Sequence, residues 1–350
     1  MVGIITIIDN NNFGNRLQNY ALYNYLRNIT TTTTIQNEAF SNSKKHYFLR
    51  RLKNINYKGT YSKNYNRRNN FENFNNNLKF SRKKITALSN DKDFDFIVVG
   101  SDQVWNPNFG RMRDVDLLVF AKPEKRISYA ASFGINEIPE NLKENVSKEL
   151  KKFKAISVRE DRGKEIVEEL TGRKDVEVLV DPTMLLTSEE WDKVSKKPTM
   201  LKKDKYILNY FLGELSEERK NEIERIAKEN NCEIINILDK NSPFYECGPS
   251  EFLYLEKNAF LICTDSFHSS VFAIIYNRPF IIFDREQKNL TSMNSRLDTL
   301  INKFKLKNRR FEGKITDKNL KHDYTEAYKI LEEERKKSEI FLKKALDIKE

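Results

Sequence analysis

Histidine, cysteine and tryptophan are scarce in this chain, which holds three, three and two of them in 350 residues. Cys232, Cys247 and Cys263 form neither an even-numbered disulfide framework nor a CxxC or paired His/Cys spacing, so no metal site is expected. Cys263 falls within an apolar run and reads as an inert core thiol. No apolar stretch reaches the ~18 residues that a membrane-spanning helix needs. The opening VGIITIID is too short for a signal-peptide core and lacks a basic leader and cleavage site. It reads instead as a first buried strand, and the expected location is the cytoplasm. No internal sequence repeat is visible, so any two halves are expected to be similar in fold only.

What the chain does have is charge. Lys and Arg number 62 against 51 Asp and Glu, a formal net charge of +11, while 39% of residues are hydrophobic. Such a surface favours anionic partners. The lysines are spread along the chain with no concentrated basic stripe, so nucleic acid is not an expected partner. Peripheral contact with the negative inner leaflet of a membrane fits the charge better.

Apolar runs alternate with helix-length amphipathic stretches, the signature of an α/β fold with parallel sheets. Strands are expected at Gly3–Ile8, near Ile35, and at Phe94–Val99, Arg126–Ala131, Ala155–Val158 and Val176–Val180. Helices are expected at Arg16–Arg27, Pro139–Phe153 and Arg162–Leu170. Residues 41–93 are rich in Lys, Arg, Asn and Tyr and read as solvated helices and loops, with charge from Lys44, Lys45, Arg50, Arg51, Lys53, Arg67 and Arg68. After a polar stretch at 187–203 a second set begins, with strands Tyr206–Phe211 and Glu233–Ile237 and helices Ser216–Glu229 and Pro249–Lys257. The tail, about 324–348, reads as an amphipathic helix with Ala327, Ile330, Leu331, Ile340, Phe341 and Ala345 on its apolar positions. The expected organisation is a Rossmann-like domain over 1–187, a link over 188–203, a second such domain over 204–323, and a closing helix over 324–350. Two doubly wound domains facing across a cleft make a GT-B-like architecture.

The most informative stretch is Ala259–Asp284, AFLICTDSFHSSVFAIIYNRPFIIFD. It reads as one β-α-β unit, with His268 in the first helical turn beyond the carboxyl end of a parallel strand. Open α/β sheets bind ligands there, and helix amino ends attract anions. A histidine so placed suggests acid–base chemistry on an anionic substrate, the bland alternative being a capping or core histidine.

Four segments then recur in order: NFGNRLQNYAL (Asn12–Leu22), FDFIVVGSDQVWNP (Phe94–Pro107), ISVREDRG with VLVDPTMLL (Ile156–Gly163, Val178–Leu186), and TDSFHSSVFAIIYNRPFIIFDR (Thr264–Arg285). Together they resemble the polysaccharide pyruvyl transferase family, from Gly3 to about Leu300. The resemblance implies a GT-B-like fold and a metal-independent enzyme without a cofactor. Its donor would be phosphoenolpyruvate, and its acceptor a sugar or lipid-linked oligosaccharide. The product would be a cyclic pyruvate ketal on a bacterial capsule or exopolysaccharide, or on its precursor.

On that resemblance His268 is the general acid that protonates C3 of the donor. Imidazole titrates near neutrality and suits the task. Arg285 ends the strand after the His268 helix, where the family grips the donor phosphate, and Arg159 lies in its S-x-R-E segment. Ser266 and Ser269 flank the histidine and read either as phosphate ligands or as helix caps. Many family members carry arginine at the position of Ser266 and glycine at that of Ser269. One donor-binding cation is therefore missing locally, and Arg296 is a candidate substitute. On the acceptor side Asn12, Gly14, Asn15 and Gln18 follow the first strand, where amides suit sugar hydroxyls. Asp102 and Gln103 follow another strand end. Asp102 reads as a proton acceptor, as an orienting group, or as a simple Asx turn. Trp105 reads as a core anchor or as a stacking surface for a sugar.

Two other readings compete. One is a GT-B glycosyltransferase using a nucleotide sugar, against which stands the lack of an obvious ribose-binding carboxylate, Glu251–Glu256 being a weak candidate. The other is a non-catalytic glycan-binding relative, motivated by Ser266 and the basic 41–93 segment.

Overall fold

The computed structural model describes residues 1–37, 58–285 and 294–348, with the backbone alone at 37, 58–62, 83 and 294. A first sheet comprises β1 (Val2–Ile5), β2 (Thr32–Asn37), β3 (Phe80–Ile85), β4 (Phe96–Val99), β5 (Arg126–Ala131), β6 (Ala155–Val158) and β7 (Glu177–Val178). Its order is β3-β2-β1-β4-β5-β6-β7, parallel throughout. Helices α1 (Phe13–Arg27), α2 (Lys58–Asn75), α3 (Glu140–Leu150) and α4 (Asp161–Thr171) accompany it. A second sheet holds β8 (Tyr206–Tyr210), β9 (Glu233–Asn236), β10 (Leu261–Thr264) and β11 (Phe280–Ile282) in the parallel order β11-β10-β8-β9. Around it run α5 (Ser188–Asp192), α6 (Glu217–Glu229), α7 (Pro249–Asn258), α8 (Phe267–Ile275), α9 (Asn294–Lys303), α10 (Asp317–Leu320) and α11 (Thr325–Ala345).

The central strands VGII, RISYAA, YILNY and LICT are largely apolar and buried on both faces. Helices must cover both sides of such strands, which is why this sheet type is doubly wound. Strand order reverses between β1 and β4 in one sheet and between β8 and β10 in the other. Those reversals open a crevice at the carboxyl ends of the strands, the usual ligand position.

The main apolar core includes Val98, Leu208 and Ile262 from the two sheets and Leu342 from α11. The stretch at 187–203 is packed rather than loose. Thr187 caps α5 in a reciprocal capping box, and Trp191 is fully buried, donates to the Thr183 carbonyl at 3.1 Å and meets Phe272 edge-on. Helix α11 clamps both halves: Tyr328 donates to the Ile274 and Ile275 carbonyls, and Arg335 to those of Met184 and Leu186. Ile340, expected on its apolar face, is instead 66% exposed.

The basic segment corrects the sequence reading most. Lys44, Lys45, Arg50, Arg51 and Lys53 lie outside the described residues, but the remainder builds α2 and the edge strand β3. Arg67 is no solvated charge; it is 2% exposed. Its guanidinium lies over the rings of Phe13, Phe71 and Tyr245. It donates to Asn11 Oδ1 and the Asn11, Tyr245 and Cys247 carbonyls, pinning α2 to the second domain. Glycine is required at 248, because a Cβ there would lie 2.9 Å from the Asn70 carbonyl carbon.

Candidate active site

Strand ends of the first sheet supply the polar floor of the crevice. Beyond β4 the chain turns through Gly100, Ser101 and Asp102, and Asp102 holds a left-handed φ of 66°. A non-glycine residue in that region is strained unless its surroundings hold it. Here Asn15 Nδ2 donates to Asp102 Oδ2, and Arg159 Nη2 lies 3.4 Å from Oδ1. Gln18 accepts from the Ser101 N–H at 3.0 Å and donates to Thr6 Oγ1 at 2.7 Å. Asn12 caps α1 by accepting from the Asn15 N–H.

Asp181, just past β7, is the hub. Its Oδ2 accepts from Arg159 Nη1 at 2.7 Å and from Ser101 Oγ at 2.9 Å, while Oδ1 accepts the N–H and hydroxyl of Thr183. Burial pushes its carboxyl up, but His268 and Arg159 outweigh that and hold it well below the usual carboxylate range. For Asp102 burial likewise pulls upward and Arg159, His268 and Arg296 win. Both carboxyls are therefore anionic. Arg159 is raised above its ordinary value: burial opposes this, and Asp181 and Asp102 overcome it.

The second sheet contributes His268, at the second position of α8 and 7% exposed. Polar groups surround it. Nε2 lies 3.6 Å from Asp181 Oδ2 and has no hydrogen-bond partner. The opposite edge rests on the first turn of α1, where a Cβ built on Gly14 would lie 2.1 Å from Nδ1. Only glycine lets the ring sit there. Phe267 stands edge-on to His268 and beneath the Arg159 guanidinium, whose centre is 4.4 Å from the ring centroid.

Two further arginines converge on this point. Arg285, after β11, donates from Nε to Asp265 Oδ2 at 2.9 Å. The same carboxylate accepts the Leu212 and Gly213 N–H groups, fixing the loop after β8. Arg296, on α9, is buried within electrostatic reach of Arg159, Asp102, Glu160 and Arg285. Burial, then the neighbouring Arg159, pushes its guanidinium down to about 10. Such a cationic cluster gains stability when an anion joins it.

The structure thus brings His268, Asp102, Arg159, Arg296, Gly14 and Asn15 together, with Arg285 within electrostatic reach of Arg296 and Asn12 and Gln18 one layer behind as organisers. Others separate from the site. Ser269 donates its hydroxyl to Glu256 Oε1 at 2.6 Å inside the core, so it is turned away from any phosphate. Ser266 occupies the N-cap of α8 without a side-chain cap bond, and its own N–H donates to Thr264 Oγ1. Trp105 cannot stack on a sugar. It is fully buried against Phe133 and Phe153 and donates to the Asp116 carbonyl. Gln103 accepts from Asn106 and packs on Gly134. Glu256 is fully buried and Glu251 closes the capping box of α7, so neither reads a ribose.

Sequence reasoning missed Asp181, Asp265 and Glu160. Glu160 Oε1 accepts from Ser132 Oγ and the Phe133 N–H. The D-P-T and R-E pairs after strand ends were the available signal. Among the described residues no group of three or more His, Cys, Asp or Glu could hold a metal ion, and no helix is long and apolar enough to cross a membrane.

The model of the polysaccharide pyruvyl transferase family matches residues 12–287. No curated protein matches the chain. Among solved structures, the UDP-GlcNAc 2-epimerase of Methanocaldococcus jannaschii is 15% identical and covers 95% of this chain and 91% of its own, with a TM-score of 0.50. That of Rickettsia bellii is 11% identical, covering 99% and 96%, at 0.47. MurG of Acinetobacter baumannii is 10% identical, covering 96% and 94%, at 0.40. At such identities the likeness speaks to the fold alone. The first of them places the chain in the two-domain, GT-B-type α/β class.

Proposed function

Since the chain belongs to the polysaccharide pyruvyl transferase family, we propose that it moves the pyruvate skeleton of phosphoenolpyruvate onto two hydroxyls of one sugar, forming a cyclic ketal and inorganic phosphate. One observation carries the reading: a histidine backed by an anionic Asp181 sits beside a cluster of three arginines, Arg159, Arg285 and Arg296. A polyanionic donor that must receive a proton needs that combination.

The steps balance as follows. Protonated His268 gives its Nε2 proton to C3 of the donor, and C2 becomes an oxocarbenium-like electrophile. A sugar hydroxyl adds to C2 and releases its proton to the now neutral imidazole. The C2–O bond to phosphorus breaks, and phosphate leaves with the electron pair toward the arginines and the N–H groups at the start of α8. A second hydroxyl of the same sugar adds to C2, closes the ring and releases its proton to the departing phosphate. Asp181 stabilises the imidazolium without taking its proton. Asp102, anionic and held by Asn15 and Arg159, orients the acceptor and is too weak a base to deprotonate it. The scheme calls on no metal ion.

The acceptor is proposed to be a surface polysaccharide unit or its lipid-linked precursor. The +11 net charge favours approach to the anionic inner leaflet where such precursors reside. The test is incubation with phosphoenolpyruvate and a panel of galactosides, mannosides and glucosides, read by mass spectrometry and phosphate release. A product gaining one pyruvate less one water supports the reading. Transfer of a glycosyl group from a nucleotide sugar, with no phosphate released from phosphoenolpyruvate, would replace it.

A further inference from the structure

A second cavity lies in the second domain, outside the crevice just described. Its volume is about 520 Å³, within the range of small-ligand sites. It opens at the carboxyl ends of β8 and β9, on the face covered by α6. Phe211, Leu215, Ile223, Ile234 and Leu238 give it apolar walls.

Its polar lining is Asn209, Asn236, Asp239, Glu224 and Lys220. Asn209 on β8 and Asn236 on β9 are directly paired in register, and Asn209 Nδ2 donates to Asn236 Oδ1 at 2.8 Å. Asn209 is only 8% exposed, yet its Oδ1 has no partner. A buried acceptor left unpaired calls for a ligand or water to complete it. Two carboxamides sharing one hydrogen bond still offer an acceptor oxygen and free N–H groups to that ligand, whichever way round the amides are placed. The heterocyclic edge of a nucleobase offers the matching pair. Asp239, an exposed carboxylate just past the second strand of this sheet, also lines the cavity. In mononucleotide-binding α/β units an acidic residue at that place receives the ribose diol.

We propose that this cavity binds a ribonucleoside, with the base between the apolar walls against Asn209 and Asn236 and the ribose on Asp239. Lys220 at its rim is already paired with Glu217, so the described lining selects for the nucleoside rather than for a phosphate chain. The loop 211–215 that borders the cavity is the one held by Asp265, whose carboxylate also accepts from Arg285. Occupancy therefore touches the wall of the pyruvyl-transfer crevice, although the proposal does not depend on that activity.

The test is calorimetric titration of the full chain with uridine, adenosine and 2′-deoxyuridine. Saturable binding of a ribonucleoside is expected. Asp239→Ala should weaken it about tenfold and abolish any preference for ribose over deoxyribose; its side chain is exposed and gives up only its local bond from the Asn241 N–H. Asn209→Leu should remove binding, with thermal melting checking that the variant folds. The proposal is overturned if no ribonucleoside binds at millimolar concentration, or if binding survives both substitutions unchanged. Neither result bears on phosphoenolpyruvate turnover.

Discussion

His268 Nε2 stands 3.6 Å from Asp181 Oδ2, too far for a hydrogen bond and close enough for a strong charge interaction in a buried site. The Asp181 carboxyl is held below its ordinary value, so its stabilising contribution is fully present above the unfolded-state value, about 3.9, and fades as pH falls toward the folded one. Asp181→Asn is expected to cost about 3 kcal/mol at pH 7, the scale for breaking a buried pair. Denaturant titrations at several pH values should show the gap to the wild type narrowing below about pH 4. A gap independent of pH would mean that Asp181 acts by shape alone.

Gly14 is expected to be as sensitive as the histidine it faces. A methyl group there would meet the imidazole at 2.1 Å, so Gly14→Ala must displace the ring. A displacement near 1 Å costs about 10² in rate. Steady-state kinetics should show kcat falling on that scale while circular dichroism stays native. Retained kcat would place the reacting nitrogen elsewhere.

The arginines divide their work. Arg296→Ala should raise the Kd for phosphoenolpyruvate at least about tenfold, the loss of a charge-assisted contact, and leave backbone exchange elsewhere unchanged. Arg285→Ala should do the same and also speed hydrogen exchange at Leu212 and Gly213, whose N–H groups rest on the Asp265 that Arg285 holds. Equal exchange in both variants would separate Arg285 from the loop.

Glu256 offers a stability test remote from the chemistry. Burial raises its carboxyl well above the usual range, with Ser269 as its hydrogen-bond partner. Folding therefore takes up a proton, and stability is lost as pH rises from the unfolded value, about 4.3, toward the folded one. Glu256→Gln removes that dependence. Its Tm should exceed the wild type's by a few degrees at pH 8 and by less at pH 5. A lower Tm at both would contradict the assignment.

The α/β order was legible because buried parallel strands are largely apolar runs. Arg126–Ala131 and Ala155–Val158 fall where the sequence places them. The β-α-β unit around His268 was legible for the same reason. Strand β3, FSRKKI, was not, because an edge strand carries alternating charge that reads as solvated. Nor could the sequence tell that Arg67 would be buried, since the aromatic rings that enclose it come from Phe13, Phe71 and Tyr245, three distant segments. Asp181 was hidden likewise. Its role exists only once α8 of the second domain meets the end of β7, and no local pattern encodes that meeting. For Trp105 the sequence left core anchor and sugar platform open, and the packing fits the core anchor; Ser269 points at Glu256, because sequence proximity to a motif does not fix which way a side chain points.

The most direct test of the account is turnover in D₂O with phosphoenolpyruvate and a sugar that the enzyme accepts. The ketal methyl should carry a single solvent deuterium by NMR. His268→Ala should lose about 10² to 10⁴ in kcat while its Kd for phosphoenolpyruvate stays near that of the wild type. An alanine variant that turned over at the wild-type rate, or a product methyl without solvent deuterium, would contradict His268 as the group that delivers the proton.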